Sequence, residues 1–146
     1  MKSKSVLICY IAVCVCVVGV VALCVLAPFL IDGYTRWRGI SGEIGRIILI
    51  AYYLCCVPTL LALGCLLRLL RNIRKQQIFI HANTRLLCMI SWCCVAVSAF
   101  CLVAGLWYFP LLFVTAAMLF IFLIVRVVST CFIAAEELRE ENSLTI

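Results

Sequence analysis

A chain of 146 residues, 68% of them hydrophobic and only 12% charged, with mean hydropathy +1.28 and formal net charge +6, cannot present a water-facing surface. Soluble domains carry roughly 45–50% apolar and about 25% charged residues. The proportions exclude a soluble enzyme, a free nucleic-acid-binding domain and a disordered tail, and the length suits a single membrane domain, residues 1–146.

The first apolar run covers residues 6–31, interrupted by nothing more polar than Gly19, with Pro28 near its far end. As a helix it reaches about 39 Å, more than the roughly 30 Å hydrocarbon core requires. Lys2 and Lys4 ahead of it would also suit a secretory signal, but such an apolar region is about 7–15 residues long and precedes a small-residue cleavage site. The second run, residues 45–67, is entered through a loop punctuated by Gly39, Gly42 and Gly45. There Ser41 suits a helix cap and Glu43 the positive end of the helix dipole. Residues 86–106 form the third run and residues 111–131 the fourth, which follows Pro110 and is broken once, by Arg126. Trp107, Tyr108, Phe109 and Pro110 make a tight connection whose rings suit the headgroup level. Residues 68–85 are then a loop and residues 132–146 a tail. The fold class expected is all-α, a four-transmembrane-helix antiparallel bundle.

Sidedness follows from Lys and Arg. Lys2, Lys4, Arg68, Arg71, Arg74, Lys75, Arg85, Arg126 and Arg139 share one face, nine of the twelve, against Arg36, Arg38 and Arg46 on the other. The positive-inside rule puts both termini in the cytoplasm of a bacterial cell membrane, with Tyr34 and Trp37 at the outer interface.

Cys9, Cys14, Cys16, Cys24, Cys55, Cys56, Cys65, Cys88, Cys93, Cys94, Cys101 and Cys131 all lie in or beside the apolar runs. A membrane thiol oxidoreductase needs a reactive pair on its oxidising face, and the outward loops carry no cysteine. The spans contain no His, Asp or Glu to complete a metal site, so neither metal nor cofactor is expected. Packing is the simpler role. Ala51, Cys55 and Thr59 recur every fourth residue, as do Cys94 with Ser98 and Cys101 with Gly105, giving the small faces that let helices approach closely in lipid.

Ion-coupled transport usually needs an ionisable group inside the membrane. No acidic residue occurs in the four runs, and the polar candidates reduce to Arg126, Thr59, Ser91, Ser98, Thr115 and Ser129. Arg126 lies about 22 Å into its span, close enough to the inner boundary to snorkel. Its alternative is an ion pair with the acidic tail.

In the middle loop Arg68, Arg71 and Lys75 follow helical spacing, joined by Arg74 and Arg85, which suggests a cationic turn resting on anionic lipid at the cytoplasmic face. Cations held flush with a bilayer make a poor duplex-binding surface, so direct nucleic-acid binding is not expected. Ile78, Phe79 and Ile80 would lie on the membrane or on a partner, and Asn83 would cap the third helix. In the tail, Glu136 stacks over Glu140 and Glu137 over Glu141, like charges that repel by a few tenths of a kcal/mol per pair. Docking on the basic loop or on a soluble partner would compensate. The ending Leu144, Thr145 and Ile146 also suits addition to a partner's sheet edge.

Two stretches together, Phe79, Asn83, Arg85, Leu86 and Leu87, and the ending from Glu136 and Glu137 through Glu140, Glu141 and Asn142 to Leu144, Thr145 and Ile146, resemble the YoaS-like domain-of-unknown-function family of small bacterial four-helix integral membrane proteins. Ser143 stands where that family commonly has Asp. The resemblance implies no reaction and no catalytic residues. Its members are commonly encoded beside small helix-turn-helix transcription regulators, which implies a non-enzymatic regulatory or interaction partner of such a regulator. A small transporter or transporter accessory, a homo-oligomer and a thiol oxidoreductase stay open beside it.

Overall fold

The computed structural model describes residues 2–75 and 81–145. They form four helices: α1 (Lys2–Arg38), α2 (Gly42–Arg74), α3 (His81–Gly105) and α4 (Pro110–Leu144). All four are long and apolar enough to cross a membrane. Phe79, with its neighbours Ile78 and Ile80, and Ile146 lie outside the described residues.

The helices run well past the apolar runs that announce them. α1 continues through Asp32–Arg38 because nothing breaks it before Gly39, and Arg36 Nη2 closes on Asp32 Oδ2 one turn back at 2.8 Å. Gly39 then takes φ +64°, conformational space that costs glycine little. With it, Ile40 N–H reaches the Thr35 carbonyl at 3.0 Å and Gly39 N–H the Arg36 carbonyl at 3.4 Å, the paired bonds of a Schellman stop. α4 carries neither glycine nor proline after Pro110, which occupies its first turn, so the tail stays helical to Leu144.

Proline inside a helix deletes a donor. Pro28 cannot donate to the Cys24 carbonyl four residues back, and the Tyr53 hydroxyl of α2 supplies the bond at 3.1 Å. Beside it the Cys24 thiol donates to Cys56 Sγ at 3.2 Å.

Contacts between helices follow chain order: α1 meets α2, α2 meets α3 and α3 meets α4, while α1 and α4 do not touch among the described residues. The sandwiched α3 is therefore the most buried. Asn83, Leu87, Ser91, Cys94, Ser98, Cys101 and Gly105 mark one small-residue seam at three- and four-residue spacing, all buried. α4 buries only Thr115 and Ser129. Most of the apolar surface of α4 and of α1 is exposed, including Ile8, Val15, Val18, Val25, Phe29, Phe113, Phe120 and Val127, as a multi-pass membrane protein requires.

Close approach is enforced where glycine stands. A Cβ on Gly45 would meet Thr35 Cγ2 at 2.9 Å, and one on Gly105 would meet Leu112 Cδ2 at 2.6 Å. Cysteine packs in the same way: Cys55 Sγ lies 3.8 Å from Cys101 Sγ, and Cys56, Cys65, Cys94 and Cys101 are buried thiols. The hydroxyls of Thr59, Ser91, Ser98 and Thr115 donate to carbonyls three or four residues back in their own helices. The Tyr34 and Tyr108 hydroxyls share a hydrogen bond that ties the end of α1 to the α3–α4 connection. That bond holds the Tyr108 phenol above its ordinary value.

Candidate functional site

The polar residues singled out by sequence gather where α2 ends and α3 begins. Leu69 turns inward and joins Cys65, Leu86 and Leu87 in a buried cluster, against which Leu66, Ile73, Ile90, Val125 and Phe132 pack. The residues between these apolar positions on α2, Arg68, Arg71, Arg74 and Lys75, are left exposed.

Asn83 is the third residue of α3, inside its first turn, and is wholly buried at 0% exposure. It accepts a hydrogen bond at 2.8 Å from Asn72 Nδ2 of α2. Its amide thus serves as a bridge between helices, in contrast to the capping role expected from its place before the apolar run. A buried amide needs such a partner, because leaving it unsatisfied costs about 1–3 kcal/mol. Asn72 had no signal of its own in the sequence; the one available clue was a second asparagine flanking the same short connection.

Glu136 is the one tail carboxylate drawn inward. Its side chain is 13% exposed, and Oε1 lies 3.4 Å from Nδ1 of His81, itself 87% exposed. The tail therefore docks on the first residue of α3. Glu137, Glu140, Glu141, Asn142, Leu144 and Thr145 stay exposed along α4. Among the described residues no ion pair joins Glu137, Glu140 or Glu141 to Arg71, Arg74 or Lys75. His81 was the residue that charge counting passed over, since a neutral imidazole contributes nothing to it.

An open cleft of about 740 Å³ separates the two helices here, lined by Arg68 and Asn72 of α2 and by His81, Ala82, Arg85, Leu86 and Met89 of α3. Arg85 thus joins Arg68 rather than the rest of the basic run. Arg126 stands apart, exposed on α4, with its carbonyl accepting from Thr130 Oγ1 at 3.0 Å. Among the described residues no three of His, Cys, Asp and Glu converge to hold a metal ion.

A family model described as "Protein of unknown function (DUF2975)" matches residues 3–146. No curated protein and no solved structure matches the chain.

Proposed function

The chain belongs to the DUF2975 family of unknown function, and on that premise we propose that it is a non-enzymatic membrane protein that docks a soluble partner on its cytoplasmic face. The observation that carries this reading is the pair of helical ends of opposite charge. α2 finishes in exposed Arg71, Arg74 and Lys75, and α4 in exposed Glu137, Glu140 and Glu141, with no ion pair between the two sets among the described residues. At 35 residues α4 is about 52 Å long, some 20 Å more than a hydrocarbon core needs. Charged prongs of this kind steer and orient a partner without chemistry in the bilayer.

The arrangement proposed is antiparallel with both termini inside the cell membrane. Three contacts support the antiparallel part: Thr35 against Gly45, Asn72 against Asn83, and Gly105 against Leu112 each join the end of one helix to the start of the next. The excess of Lys and Arg at the Asn72 and Asn83 end supports the sidedness. The YoaS-like resemblance of Asn83, Arg85 and the acidic ending supports a small helix-turn-helix regulator as the partner. Transport is the weaker reading, because the hydroxyls of Thr59, Ser91, Ser98 and Thr115 are spent within their own helices.

The test is co-fractionation of a small helix-turn-helix regulator, of the kind encoded beside the YoaS-like proteins, with membranes containing the full chain. The regulator is expected in the membrane fraction with the wild type and in the soluble fraction with R71Q/R74Q/K75Q or E137Q/E140Q/E141Q. A regulator that stays soluble beside the wild-type chain refutes the proposal.

A further inference from the structure

The α2–α3 cleft differs from the exposed prongs because its charge and its shape point to the same ligand. Arg68 and Arg85 face it from opposite helices, joined by His81 and the Asn72 amide, while Ala82, Leu86 and Met89 complete an apolar wall. Among the described residues no carboxylate lines the cleft. The nearest is Glu136, which is engaged with His81 Nδ1. Neither arginine has an ion-pair partner among the described residues.

Depth completes the picture. Arg85 lies about 30 Å along α3 from Gly105, and Arg68 about 34 Å along α2 from Gly45, each close to the thickness of a hydrocarbon core. Both guanidiniums therefore stand at headgroup level, with Leu86 and Met89 reaching back toward the acyl region. Guanidinium forks bind phosphate oxygens by charge-assisted hydrogen bonds, and basic pockets between membrane helices hold anionic headgroups in this way.

We propose that this cleft binds one anionic phospholipid, its phosphate held between Arg68 and Arg85 and an acyl chain lying along Leu86 and Met89. That the lipid comes from the inner leaflet rests on the orientation proposed above. The binding does not.

The experiment uses the purified full chain in phosphatidylcholine nanodiscs or micelles, titrated with phosphatidylglycerol and read by native mass spectrometry or by a fluorescent lipid analogue. The wild type is expected to hold one phosphatidylglycerol about tenfold or more tighter than phosphatidylcholine, because both present the phosphate but the choline cation cancels its charge and is repelled by the two arginines. R68Q/R85Q removes that preference. R71Q/R74Q, which deletes the same charge outside the cleft, retains it to within about twofold. Ala82→Trp puts an indole on the wall between Arg68 and Arg85 while keeping both arginines, and is expected to lose the preference too. The arginines and Ala82 are all exposed, so none of these changes disturbs the buried cluster. Equal loss in R71Q/R74Q, full binding by Ala82→Trp, or displacement of the lipid by inorganic phosphate as effectively as by phosphatidylglycerol would each overturn the proposal. A regulator that fails to co-fractionate, or a topology reporter of opposite sign, would refute the docking role or the orientation and leave lipid binding in micelles standing.

Discussion

The Tyr53 hydroxyl donates to the Cys24 carbonyl at 3.1 Å, and that carbonyl is free because Pro28, four residues on, has no N–H to offer it. Two defects, a proline within a helix and a phenol in an apolar span, thereby cancel each other. In hydrocarbon there is no water to make up the difference.

It follows that Tyr53→Phe destabilises the chain by roughly 0.5–1.5 kcal/mol in a proline-containing α1, and by less in a Pro28→Ala background where the helix can satisfy its own carbonyl. Unfolding midpoints of the wild type, both single variants and the double variant in one detergent complete the cycle. Additive effects would show that the hydroxyl and the proline are unrelated.

Gly45 should tolerate no side chain while Thr35 keeps its methyl group, because an added Cβ comes within 2.9 Å of Thr35 Cγ2. Gly45→Ala is expected to cost about 1–3 kcal/mol, the usual range for overpacking. Thr35→Ser removes that methyl while preserving the Oγ hydrogen bond to the Asp32 carbonyl, 3.0 Å in the wild type, and should recover most of the loss. Thermal inactivation of the purified protein, followed as loss of the monodisperse peak, reports both changes.

Asn83→Ala leaves the Asn72 amide facing a void, with an expected cost of about 1–3 kcal/mol. Asn83→Leu paired with Asn72→Leu replaces both polar groups and should cost less than the sum of the single changes. Chemical unfolding of the four proteins measures the coupling. A strictly additive result would remove the Asn72–Asn83 bond from the list of forces joining α2 to α3.

Cys24 and Cys56, with sulfurs 3.2 Å apart, should be the pair most readily joined by iodine when retained alone in a chain otherwise free of cysteine. Oxidation of the two thiols to a disulfide removes two hydrogens, which intact mass spectrometry detects. The Cys9 and Cys65 pair, an exposed thiol on α1 and a buried one on α2, serves as the control. Equal yields from the two pairs would contradict the α1–α2 register.

Much of this was legible in the residues. Uninterrupted apolar runs located the four helices, and the small-residue spacing of Cys94, Ser98, Cys101 and Gly105 announced the seam that α3 buries. Helix ends were less readable, because apolar content reports where lipid begins and says little about where hydrogen bonding stops. Asp32–Arg38 and the tail to Leu144 are polar stretches that stay helical, the first through Gly33 as far as the left-handed Gly39, the second for want of a glycine or proline. At the site, charge pointed to the region and left the individual pairings open. Arg68 and Arg85 come together across two helices, and Glu136 finds His81 rather than an arginine, because these meetings depend on the register between helices.

The neighbour-to-neighbour order of the main helix interfaces has a consequence for biogenesis. Each helix makes most of its interface with the one made just before it, so as the ribosome delivers the chain every new segment meets its main upstream partner already in the bilayer. Assembly then accumulates largely as nearest-neighbour interfaces, as in repeat proteins, and the Tyr34–Tyr108 bond is left to close once the third connection is made.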